Sequence, residues 1–137
     1  MLRRTLLLST ILTALPVLAA DAVAVEAARD AAAAWIKLLD SSDAAKSWEQ
    51  AASGFKRAVT SQQWAQASSS VRSPLGSVKQ RQELGAQATK SLPGAPDGEY
   101  VVFQFQTSFD AKASSVETVT VVYDGDKTWR VVGYFVR

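Results

Sequence analysis

Residues Tyr100–Phe109 read Tyr-Val-Val-Phe-Gln-Phe-Gln-Thr-Ser-Phe, and this stretch decides the fold class. Val101, Phe103, Phe105, Thr107 and Phe109 recur at every second position. A strand places alternate side chains on one face, so these five form the core side of a half-buried strand. Downstream, a loop at Asp110–Ser115 leads to a second strand over Val116–Tyr123, rich in Val and Thr. Tyr123-Asp124-Gly125-Asp126-Lys127 then turns the chain, and Asp-Gly between two apolar runs is a hairpin signal. Thr128–Val136 is the last strand, with Gly133 expected at a bulge. Upstream, Leu92–Gly98 is a long turn dense in Pro and Gly, and Val78–Thr89 alternates weakly as a first strand.

The half of the chain before Ser73-Pro74-Leu75-Gly76 has a different period. Val25, Ala28, Ala32, Trp35 and Leu39 recur at three- and four-residue spacing, with Glu26, Asp30, Lys37 and Asp40 opposite. That is an amphipathic helix, and its alanines have high helix propensity. Ser41-Ser42-Asp43 stops it and caps a second helix carrying Ala44, Ala45, Trp48 and Ala52, which Ser53-Gly54 ends. Phe55–Val59 is a turn or one further helical turn. Thr60 and Gln63 have capping-box spacing and open a third helix with Trp64, Ala67, Ser68 and Val71 on one side. Trp35, Trp48 and Trp64, one per helix, are expected to pack on a shared surface. Helices first and antiparallel strands after give α+β: three N-terminal helices on a curved, cone-like four-stranded antiparallel sheet.

The first twenty residues follow another logic. Arg3 and Arg4 precede an apolar run, Leu6–Leu18, that has no charge, and small residues follow at Ala19, Ala20, Ala22 and Ala24. This is the pattern of a secretory signal peptide over residues 1–20, with cleavage expected between 19 and 24. The uncharged stretch is shorter than the roughly 20 residues that a spanning helix needs. A lipid anchor is excluded, because the chain has no cysteine. Residues 21–137 then form one domain, long enough to bury a core without disulfides.

Cleavage also changes the charge. The intact chain is +2, but losing Arg3 and Arg4 leaves thirteen basic residues against thirteen acidic ones. A neutral domain lacks the basic excess that drives binding to nucleic acid or anionic membrane. The chain has no histidine either. Ser-His-Asp and Cys-His catalysis and histidine-ligated zinc are thereby excluded. No catalytic motif, cofactor motif or metal site is expected. Asp124-Gly125-Asp126 lacks the rest of a calcium loop and reads as a turn.

Several segments together resemble an exported bacterial family, domain of unknown function 4019. They are Trp64 with Arg72-Ser73-Pro74-Leu75-Gly76 and Arg81, then Leu92–Tyr100, Glu117–Thr120, and Gly125 with Trp129–Phe135. The resemblance runs from about Ala34 to Arg137. It implies a Gram-negative periplasmic address and brings no activity with it. The element order is also similar to the cone-shaped folds of the nuclear transport factor 2 and cystatin-like group.

The candidate binding residues are Arg72, Arg81, Glu117, Tyr134 and Trp48. Arg72 and Arg81 bracket the Pro-Leu-Gly turn. There they can grip a carboxylate or phosphate, or pair with Asp40, Glu83 or Glu117 to hold helix against sheet, and the second role is the favoured one. Glu117 lies in an apolar strand and would make a general base if buried and free. Tyr134 and Tyr100 can donate to a ligand, or cap the core. The last strand reads as apolar on both faces, Trp129, Val131 and Phe135 alternating with Val132, Tyr134 and Val136. The face away from the helices therefore needs a cover: a second copy or an envelope protein. The reading is a non-enzymatic periplasmic binding or interaction domain that can self-associate. The alternatives are a small cone-fold enzyme using a carboxylate and a tyrosine, and an envelope inhibitor or immunity-like protein that works through an ordered Leu92–Gly98 loop.

Overall fold

The structure, a computed structural model, describes residues 17–137, with side chains from Ala22 onward. Residues 1–16, which hold the basic start and most of the apolar run of the expected leader, lie outside the described residues. Helix α1 (Val17–Asp40) passes through the expected cleavage window. No helix among the described residues is long and apolar enough to cross a membrane.

Among the described residues four helices precede the sheet, where the sequence predicts three: α1, α2 (Ala44–Gln50), α3 (Ser53–Ala58) and α4 (Ser61–Arg72). The fourth comes from the segment left open at Phe55–Val59. Ser53-Gly54 starts α3 instead of ending α2. A six-residue helix is too short to hold itself together, and the residue before α3, Ala52, has no side chain that can cap it. The cap comes from 71 residues away: Asp124 accepts the Ser53 amide at 2.8 Å and the Ser53 hydroxyl at 2.8 Å. Those hydrogen bonds hold the Asp124 carboxyl below its ordinary value, with burial opposing them.

The other helix ends follow local chemistry. Asp43 caps α2 through the Lys46 amide. Thr60 and Gln63 form the expected reciprocal capping box on α4, at 3.1 and 2.9 Å. Along α1, Ala28, Ala32, Trp35, Ile36 and Leu39 are buried. On α4 the buried positions are Trp64 and Ser68. Val71, expected inside, is exposed, because the docked stripe is the i, i+4, i+8 set Trp64, Ser68 and Arg72.

A 3-10 turn (Ser73–Leu75) leads to the sheet: β1 (Val78–Thr89), β2 (Tyr100–Phe109), β3 (Lys112–Tyr123) and β4 (Trp129–Val136). The strands pair in chain order as an open antiparallel meander. The five expected core residues of β2 are all buried. β3 starts earlier than predicted, so the expected loop shrinks to Asp110-Ala111. Trp35, Trp64 and Phe55 meet in the core with ring centroids 4.9–6.4 Å apart.

The bulge in β4 corrects the expectation for its two faces. Thr120 pairs with Gly133 and Val121 with Val131, so Val132 is the extra residue. The alternation flips there. Tyr134 opposite Val119, and Val136 opposite Glu117, join Val131 and Trp129 on the helix side. Both apolar sets of the strand thus serve mainly one face.

A charge network between the helices and the sheet

Register brings the chemistry together. Arg81 on β1 lies opposite Thr107 on β2, and Phe105 on β2 lies opposite Glu117 on β3, all facing the helices. Glu117 is fully buried, and four hydrogen bonds converge on its carboxylate. One oxygen accepts Arg81 Nε at 2.8 Å and the Thr107 hydroxyl at 2.5 Å. The other accepts the Tyr134 hydroxyl at 2.5 Å and Arg81 Nη2 at 3.3 Å. A carboxylate has about four acceptor sites, so none is left over.

The network continues outward. Arg81 presents Nη1 and Nη2 to both oxygens of Asp40, at 2.8 and 2.9 Å. Asp40 also accepts Arg72 Nη2 at 2.7 Å. Asp40 ends α1, where the helix dipole disfavours an acid. Burial also works against its charge, but the hydrogen bonds from Arg81 and Arg72 outweigh it and hold the carboxyl below its ordinary value. Arg81 is held above its ordinary value: burial opposes its charge, and bonds to Asp40 and Glu117 win. Burial, and then the charge of Glu117, push the Tyr134 hydroxyl up. Tyr134 is therefore a donor here and not a base. The Arg72 guanidinium lies 5.1 Å over the Phe109 ring, and its buried Nε has no hydrogen-bond partner among the described residues.

Six side chains from six elements take part: Asp40 (α1), Arg72 (α4), Arg81 (β1), Thr107 (β2), Glu117 (β3) and Tyr134 (β4). The two acids and two arginines alternate along the network and cancel. Four of the five predicted residues meet in it. The fifth, Trp48, does not: its indole donates to the Val59 carbonyl at 2.8 Å, and Lys56 lies 5.9 Å over its ring. Asp40 was foreseen as a partner, whereas Glu83 instead pairs with Arg29, at 2.8 Å. Thr107 was read as a core residue, and only the register opposite β3 reveals its bond. Tyr100, the other candidate tyrosine, donates to the Pro96 carbonyl at 2.6 Å.

Beside the network, a groove of about 520 Å³ runs between the end of α1 and the end of α4. Asp40 and Arg72 form one wall, Ser42, Ser69, Ser73 and Ser77 supply hydroxyls, and Leu39 gives an apolar patch. Glu117 is not part of the lining. Among the described residues, no cluster of acidic residues could hold a metal ion.

The outer face of the sheet is not the apolar surface that the sequence predicts. Gln80, Gln82 and Gln87 of β1 pair with Ser108, Gln106 and Val102 of β2. Beside these lie Gln104, then Val116, Thr118, Thr120 and Val122 of β3, then Gly133 and Phe135 of β4. Phe135 is a large apolar side chain exposed there, at 51%, with the Arg137 guanidinium 5.7 Å over its ring. Arg137 apart, none of these carries a charge. Arg130, at the corner, leans away to Asp126 and the Gln50 carbonyl.

Residues 31–134 match the model of a family described as "Protein of unknown function (DUF4019)". No curated protein and no solved structure is found to match the chain.

Proposed function

The chain belongs to the DUF4019 family, and on that footing we propose that it is an exported, non-enzymatic binding domain that takes a small polar ligand in the groove between α1 and α4. The observation that carries this reading is the saturation of Glu117. The buried carboxylate has Arg81, Thr107 and Tyr134 on every acceptor site, so the cluster locks the helices to the sheet. The alternative, a cone-fold enzyme using a carboxylate and a tyrosine, needs Glu117 free and open to a substrate, and neither condition fits this geometry. The inhibitor alternative works through an exposed, ordered loop at Leu92–Gly98. That loop is exposed over residues 93–97 and held at its base, where Gly98 donates to the Lys90 carbonyl at 3.0 Å and Tyr100 donates to the Pro96 carbonyl, so the groove and not this loop is what favours the ligand-binding reading.

The groove has the composition that small polar ligands require: hydroxyls that donate and accept, a paired cation and anion, and a short apolar patch. Export to the periplasm is supported by the basic start at Arg3-Arg4 and the uncharged run after it. Among the described residues, Val25 is the first that packs on the core, so cleavage between 19 and 24 leaves the described core in place. Native mass spectrometry of protein recovered from a periplasm tests both parts. A chain starting between residues 20 and 25 is expected, carrying extra non-covalent mass that Ser69→Phe abolishes. A full-length mass would overturn export, and a bare chain under gentle conditions would overturn the ligand.

A further inference from the structure

We infer that the outer face of the sheet docks against the same face of a second copy. The first argument is charge. The surface of a soluble domain is roughly 25–35% charged, so about a dozen water-facing positions should hold about three charges. Across the middle of this face there are none. Charged residues are not scarce, since they make up 20% of the chain. They stand at its edge, where Arg130 lies opposite Val122 and Arg137 lies 5.7 Å over the Phe135 ring, and its centre is left uncharged.

The second argument is symmetry. A two-fold interface brings each patch against itself, so its groups must be self-complementary. A charged side chain near the axis would meet its own like charge. Amides and hydroxyls each donate and accept, so Gln82, Gln104 and Thr120 can pair with their own kind in either direction, whereas the Gln106 amide already donates to the Ser114 hydroxyl and the Ser115 carbonyl. Val102 and Val122 supply apolar contact between them. Charge neutrality thus selects a second copy over a charged partner.

The third argument is area. Four strands about 4.8 Å apart and about eight residues long at about 3.3 Å each give roughly 500 Å² per copy. The total of roughly 1,000 Å² is at the lower limit for a specific interface. The dimer should therefore be reversible and concentration-dependent, with half-dissociation in the micromolar range. Two such sheets would pack face to face, about 10 Å apart.

Sedimentation velocity across a concentration series, on protein recovered in soluble form from the full chain, tests this. The parent protein should shift from monomer to dimer as concentration rises through the micromolar range. Gln104→Arg places two like charges at the centre of the face and should weaken association at least tenfold with an unchanged melting temperature. Gln66→Arg, on the exposed side of α4, should leave association unchanged. Should Gln104→Arg fail to fold, Gln82→Glu on the exposed edge strand asks the same question and should also weaken the dimer. A parent that stays monomeric to millimolar concentration overturns the inference. So does a dimer that both face variants leave intact. Neither outcome bears on the ligand groove, which lies on the helical side.

Discussion

The two faces of this sheet reverse the usual arrangement. The face turned toward the helices holds Arg81, Glu83 and Glu117, while the face turned toward water is carpeted with Gln, Thr, Ser and Val. Buried ions are stable only when their partners are complete, and here each ionic group of the central network has one. The comparison teaches that charge on this sheet serves to fix one arrangement of layers. Replacing a buried ion pair with apolar side chains is often neutral or stabilising, so specificity of docking is the better account of why the pairs are there.

If the inner face depends on completed partnerships and the outer face does not, substitutions should sort by face. The largest effect is expected for Glu117→Gln, which leaves Arg81 half-paired in the interior. A loss of about 3–5 kcal/mol is expected, read from the urea midpoint. Thr107→Val removes one donor to the same carboxylate and should cost about 1–3 kcal/mol. A shift as small as that of a surface change would mean that Arg81 and Tyr134 suffice.

The acid limb of the stability curve isolates the outer part of the network. Asp40 has a folded value below its ordinary one, so its contribution is complete above about pH 4. It is lost as pH falls through the depressed folded value. Unfolding followed between pH 5 and 2 should show that fall, and Asp40→Asn should flatten it. Asp124, held low by Ser53, acts in the same direction, so Asp40→Asn flattens the limb without abolishing it. The smallest effect belongs to the outer face. Gln87→Lys should change monomer stability by no more than about 0.5 kcal/mol, and a larger loss would break the contrast.

The sequence made some of this legible. Alternation in Tyr100–Phe109 specifies its buried face because a strand has period two, and Thr60 with Gln63 announces α4 because the capping box is local. Arg72, Arg81, Glu117 and Tyr134 could each be singled out, since an ion in an apolar context needs a partner. What joins them is register, and register depends on bulges that single residues do not advertise. Val132 is one, and through it Tyr134 and Val136 come to the helix side. Thr107 escaped notice for the same reason, because its period fits a core position whether or not a carboxylate lies across from it. Lys127, not Gly125, takes the left-handed conformation in the β3–β4 turn, at φ 61°. The Asp-Gly pair signals a turn correctly and misplaces its strained residue.

The bond from Asp124 to Ser53 sets an order in time. A chain that appears N-terminus first, from a ribosome or through a membrane pore, has α3 in hand long before residue 124 exists. Six residues cannot nucleate and hold a helix unaided, so α3 waits for the final hairpin. Closing that contact spans 71 residues, one of the slow, entropically costly steps of assembly. The earliest-made half of the molecule is thus completed by nearly the last residues to arrive. A chain truncated before the β3–β4 turn would lack both the strand and the finished helical layer.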